Sequence, residues 1–135
     1  MKSILFLCLA AVLVSTKVNS QNILNCQKFR TGTFINIDEK GDNDVIRRTE
    51  KFQYEMDAET GSKIKLKITW IDNCTYQLEF VEGNKAWEEQ VGPNFDKSLI
   101  LIVTIEEVGA DYYIQTAVFK GVEMVPYKSK MKLKK

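Results

Sequence analysis

The chain has 135 residues, a formal net charge of +1 and no histidine, with 44% hydrophobic and 27% charged residues. Without histidine it lacks the commonest general base and the commonest transition-metal ligand, and three cysteines are too few for an all-thiolate zinc site. The near-neutral charge gives no global case for nucleic acid or an anionic membrane as partner.

Lys2 is followed by an apolar run from Ile4 to Val14, then by Val18-Asn19-Ser20, spaced like a signal-peptidase site. A membrane-spanning helix needs about 20 apolar residues, and this run is shorter. Residues 1–20 are therefore expected to be a cleaved signal peptide, leaving residues 21–135 as one secreted or periplasmic domain. Cleavage removes Lys2 and Lys17 and takes the formal charge from +1 to −1. Cys8 leaves too. Cys26 follows Leu24-Asn25 rather than the small residue of a lipobox, so no membrane anchor is expected. Cys26 and Cys74 remain. In an oxidising compartment they are expected to pair; the alternative is two buried, unlinked thiols.

After Cys26 the dominant hydrophobic period is two. Phe29 to Ile37 reads as a first strand, Asp38 to Asp44 as a polar turn, and Val45 to Thr49 as a second strand that can run on with a bend. Phe52, Tyr54 and Met56 then alternate with Gln53, Glu55 and Asp57. A loop of Glu59-Thr60-Gly61 places Phe52 opposite Ile68, Tyr54 opposite Leu66 and Met56 opposite Ile64. It also sets Asp57 against Lys63 and Glu55 against Lys65. A three-residue loop, Ile71-Asp72-Asn73, next places Trp70 opposite Cys74, Ile68 opposite Tyr76, Leu66 opposite Leu78 and Ile64 opposite Phe80. Both loops call for a left-handed residue, Gly61 in one and Asn73 in the other.

Glu82 to Lys97 breaks the alternation. It contains Gly83, Gly92 and Pro93, with one or two helical turns over Lys85–Gln90. A connection this long is often a binding loop or lid. Its Trp87 is expected to fold over an open barrel end, the alternative being a surface helix whose Trp covers the sheet. Strands resume over Ser98–Ile105, Tyr112–Phe119 and a last segment that alternates Tyr127, Ser129, Met131 and Leu133 with lysines. The fold class expected is all-β: an up-and-down antiparallel meander of about eight strands, closed as a barrel or strongly curved sheet.

Four ordered motifs carry a family resemblance: Cys26-Gln27-Lys28-Phe29-Arg30-Thr31-Gly32-Thr33-Phe34, Ile46-x-Arg48, Gln53-x-Glu55, and Trp70-Ile71-Asp72-Asn73-Cys74-Thr75-Tyr76-x-Leu78. Over residues 26–80 the chain resembles a family of small secreted Bacteroidetes proteins of unknown function, whose members often bear the label DNA topoisomerase IV. The resemblance implies a secreted β domain with Cys26 and Cys74 paired, and it brings no active site. The topoisomerase label does not fit, since the chain has no Gly-rich phosphate loop with its Lys and carries an export signal. The meander also looks lipocalin-like in general shape. Gly32-Thr33-Phe34 resembles the lipocalin Gly-x-Trp, with Phe34 where the Trp would stand.

Trp70, Tyr76, Tyr54, Phe52 and Phe80 are expected on one face, lining a cup for a small apolar ligand or filling a solid core. Arg48, beside Arg47, could hold a ligand carboxylate bidentately or pair with a nearby acid. The lysines at 128, 130, 132 and 134 read as protection for a strand edge. Asn73-Cys74-Thr75 fits a glycosylation pattern relevant only in a eukaryotic secretory pathway. No carboxylate pair or motif-framed nucleophile marks an enzyme. The function expected is therefore a non-catalytic, monomeric binding barrel for a small apolar or amphipathic ligand, with ligand contacts from Trp70, Tyr76, Tyr54, Phe52, Trp87 and Arg48. No metal, cofactor or nucleic acid is expected. The alternative is a solid-core interaction or envelope-structural module.

Overall fold

The computed structural model describes residues 24–37 and 43–135. The expected signal peptide and the tip of the first polar turn lie outside the described residues. A 3-10 turn, Gln27–Phe29, leads into eight strands: β1 (Gly32–Ile37), β2 (Asn43–Arg48), β3 (Phe52–Met56), β4 (Lys63–Trp70), β5 (Thr75–Gly83), β6 (Ile100–Val108), β7 (Tyr112–Phe119) and β8 (Tyr127–Leu133). A single helix among the described residues, α1 (Lys85–Val91), joins β5 to β6. The strands pair antiparallel in sequence order, and β8 returns to β1 to close the barrel. This is the expected up-and-down, lipocalin-like architecture.

Closure changes the meaning of the lysine-rich last strand. Its outward lysines at 128, 130 and 132 do not guard an edge, because β8 is hydrogen-bonded to β7 on one side and β1 on the other. The start of the expected first strand is also different. Phe29 belongs to the 3-10 turn and is fully buried against Phe34 and Tyr113, with ring centroids 6.3 and 4.9 Å away. It plugs one end of the barrel. The Lys28 ammonium secures that turn by donating to the carbonyls of Gly109 and Ala110 at 2.9 and 3.2 Å.

The disulfide Cys26–Cys74 forms, with Cα atoms 5.4 Å apart. It holds the β4–β5 turn against the N-terminal segment, where Asn73 also donates to the Leu24 carbonyl at 3.2 Å. Cys74 is thereby drawn out of the ladder. Trp70 pairs with Tyr76, Ile68 with Leu78 and Leu66 with Phe80, two residues beyond the expected register. A shift of two preserves the faces, so the apolar set still points inward. Asn73 is not left-handed, and no non-glycine residue among those described has positive φ. The turn closes instead through Asp72, whose carboxylate accepts from the Cys74 amide at 2.9 Å.

The β3–β4 hairpin departs further. Phe52 pairs with Lys67, Tyr54 with Lys65 and Met56 with Lys63. This is one residue away from the expected register, and one residue reverses every face. Phe52, Tyr54 and Met56 point outward; Gln53 and Glu55 point inward beside Leu66 and Ile64. The turn holds four residues, 58–61, closed by the Asp57 amide donating to the Ser62 carbonyl at 3.0 Å, with Gly61 left-handed as expected at φ 72°. The expected pairs Asp57–Lys63 and Glu55–Lys65 do not form this ladder. The physical reason lies on β2. Arg48 points into the barrel, and a buried cation needs polar partners more than the core needs two further aromatics.

Candidate functional site

The barrel has unlike ends. At one end the 3-10 turn, the disulfide and the turns after β2, β4 and β6 converge, and the inward side chains of Phe34, Ile46, Tyr76, Val103 and Tyr113 are buried. At the other end lie the β3–β4 turn, α1 and the β7–β8 connection. Here the inward side chains of Leu66, Phe80, Leu101 and Phe119 are only partly buried, and Tyr127 is exposed. Apolar groups that point into a barrel and still meet solvent mark an open mouth above a packed floor.

The floor is organised by Arg48, which is 2% exposed. Its Nε donates to Gln53 Oε1 at 2.9 Å, and one terminal nitrogen donates to the Phe29 carbonyl at 2.7 Å. The other reaches the Tyr76 and Tyr113 hydroxyls at 3.0 and 2.9 Å. The guanidinium also lies 4.7 Å from the Tyr76 ring centroid and 4.9 Å from that of Phe34. The network then runs both ways across the barrel. Gln53 donates to Glu55 at 2.7 Å. Tyr76 donates to Gln115 at 2.8 Å, and Gln115 to Ser129 Oγ at 3.1 Å. A fork of fixed N–H donors suits such multiple contacts, which a lysine could not reproduce.

Burial sets the electrostatics. It works against the Arg48 charge, but the fields of Tyr76, Tyr113 and Glu55 outweigh it and hold the guanidinium firmly protonated. Burial pushes the Tyr76 hydroxyl well above its ordinary value, opposed in part by Arg48. It also raises the Glu55 carboxyl, an effect that the Gln53 amide and Arg48 oppose and Asp44 reinforces. An acid raised by folding costs stability where it ionises. That cost is absent below its ordinary value of 4.5 and grows as pH climbs above it. Glu55→Gln keeps an acceptor for Gln53. It should match the parent protein near pH 3 and gain stability relative to it towards pH 7, as measured by urea melts across that range. A gap that stays constant with pH would refute the assignment.

Of the residues expected to form the site, Arg48, Trp70 and Tyr76 are together at the floor, with Trp70 and Tyr76 ring centroids 4.7 Å apart. Phe52 and Tyr54 are not with them; they are on the outer wall. Trp87 lies at the mouth. Its indole, 7% exposed, stacks on Phe80 at 4.9 Å and meets Phe95 edge-on at 5.5 Å. Asn84 seats the helix by accepting from the Trp87 and Lys63 amides, both at 3.0 Å, and donating to the Gly61 carbonyl at 2.8 Å. A Cβ on Gly83 would collide with the indole, so glycine makes this seat possible. No family model, curated protein or solved structure matches the chain.

Tyr113, Gln53, Gln115 and Ser129 are floor residues that the periodicity did not single out. The signal available was polar residues on strands that must each bury one face: Gln115 shares a face with Tyr113 and Ala117, and Ser129 with Tyr127 and Met131. Among the described residues no helix is long and apolar enough to cross a membrane.

Proposed function

We propose that this chain is a secreted or periplasmic, non-catalytic β-barrel that binds a small apolar or amphipathic ligand at its mouth. The observation that carries this reading is the gradient along the barrel. Phe34, Tyr76 and Val103 are sealed, whereas Leu66, Phe80, Leu101 and Phe119 point inward and remain solvent-accessible. Inward apolar side chains that meet solvent, with a few polar groups beneath them, are the lining that a small-ligand site uses. Trp87 on Phe80 supplies an aromatic wall. Glu55 and the Arg48 network supply polar groups on the side of β2 and β3.

The test uses N-phenyl-1-naphthylamine, an uncharged probe that fluoresces in apolar sites. Leu101→Trp should fill the mouth, abolish probe binding and leave the melting temperature nearly unchanged. Trp87→Ala should weaken binding by removing the wall, at some cost in stability because the indole is packed. In a solid core the added volume at Leu101 would instead strain the packing and cost about 1–3 kcal/mol. An absence of probe binding together with that loss would replace this reading with an interaction module.

A further inference from the structure

The outer wall carries a concavity that the inward residues Glu55 and Ile64 also border. It is a groove of about 590 Å³ across β2, β3 and β4, bounded at one end by Gly83 and Asn84. Val45, Tyr54 and Met56 form its apolar surface; Arg47, Lys63 and Lys65 surround it. The register explains the arrangement. Arg47, Tyr54 and Lys65 stand side by side on three adjacent strands. The Arg47 guanidinium lies 4.3 Å from the Tyr54 ring centroid, and the Lys65 ammonium lies 4.3 Å from that of Phe52 and 5.8 Å from that of Tyr54.

Cations outnumber carboxylates in its lining, three to two. Ion pairs among the described residues occur at Lys85–Glu89 and Lys97–Glu88, and none involves these three cations. Of the two carboxylates bordering the groove, Glu55 turns inward to Gln53, and Glu82 stands across from Lys65 on β5. Three cations held around a half-exposed phenol repel one another, and an anion between them would relieve that repulsion. The volume lies in the range of small-molecule sites.

We propose that this groove binds a small amphipathic anion, with its apolar body against Tyr54, Val45 and Met56 and its carboxylate, sulfonate or phosphate group between Arg47 and the two lysines. Aromatic contacts pre-position Arg47 and Lys65, so binding orders few further side chains.

Two probes that differ only in charge test this. 8-Anilinonaphthalene-1-sulfonate carries the sulfonate, and N-phenyl-1-naphthylamine is the same ring system without it. Arg47→Gln and Lys65→Gln should each weaken the sulfonate by about tenfold or more, as expected for a lost charge-assisted contact. The uncharged probe should change by no more than about twofold, and sulfonate binding should weaken with added salt. Adding the sulfonate should shift the Met56 methyl resonance. Both substitutions are on the outer wall, and unchanged melting temperatures would verify folding. Sulfonate affinity that survives both substitutions, or falls only with Leu101→Trp, would overturn the proposal. So would a parallel loss of the uncharged probe, or a Met56 resonance that does not move. Failure of the mouth reading is separate, since it is read by the uncharged probe and Leu101→Trp.

Discussion

Arg48→Met should destabilise the protein by about 3–5 kcal/mol, a large share of the total for one domain of this size. The methionine fills much of the volume, so the loss is chiefly polar. The Phe29 carbonyl, Gln53 Oε1 and the Tyr76 and Tyr113 hydroxyls lose a charged donor at 2.7–3.0 Å in a site closed to solvent. Glu55 loses the field that opposes its desolvation. Arg48→Lys should lose nearly as much, because one ammonium cannot reach Phe29, Gln53 and both tyrosines. Tyr113→Phe should cost less, about 1–2 kcal/mol, since it removes one contact and leaves the guanidinium three of its four acceptors. Urea denaturation with an unchanged slope measures all three. An Arg48→Met variant within about 1 kcal/mol of the parent would mean that the network is replaceable by apolar packing, as some buried ion pairs are.

The same arginine marks where the sequence was legible and where it was not. Period-two alternation identified eight strands and their order. For β4 and β5 it also identified the inward face, because Ile64, Leu66, Ile68 and Trp70 are apolar against lysines, and a register error of two residues does not alter a face. On β3 the same rule chose the wrong face. Phe52, Tyr54 and Met56 are the apolar members, yet they are outside, with Lys65 over Phe52, Arg47 over Tyr54 and Met56 exposed. What alternation does not encode is a demand arising on another strand. Arg48 is inward because Ile46 is, and its buried guanidinium pulls Gln53 inward by a hydrogen bond. The motifs Ile46-x-Arg48 and Gln53-x-Glu55 held that information as two inward pairs on adjacent strands. Trp87 was legible as the aromatic of an interrupting segment; its seat on Phe80 depended on the bare Cα of Gly83 and on Asn84, whose bonds to Gly61 and Lys63 join elements distant in sequence.

Replacing both disulfide cysteines, Cys26→Ala with Cys74→Ala, should cost about 4 kcal/mol in the chain-entropy model, given the 48-residue separation. That contribution acts on the unfolded chain and is indifferent to what the folded barrel contains. A second contribution is local. Cys26 leads directly into the 3-10 turn, and the Phe29 carbonyl of that turn accepts from Arg48. Without the bridge the turn is held by Phe29 packing and the Lys28 contacts, and its opening would admit water to the guanidinium. The two contributions separate in a double-mutant cycle. If the disulfide acts only through loop entropy, the cysteine pair and Arg48→Met should add within about 0.5 kcal/mol. If it also holds the plug over Arg48, the triple variant should lose less than the sum, by about 1 kcal/mol or more, because the contact that each change weakens is the same one. We expect the second outcome. Strict additivity would assign the bridge to the unfolded state alone and leave Phe29 packing and the Lys28 contacts to close the barrel floor.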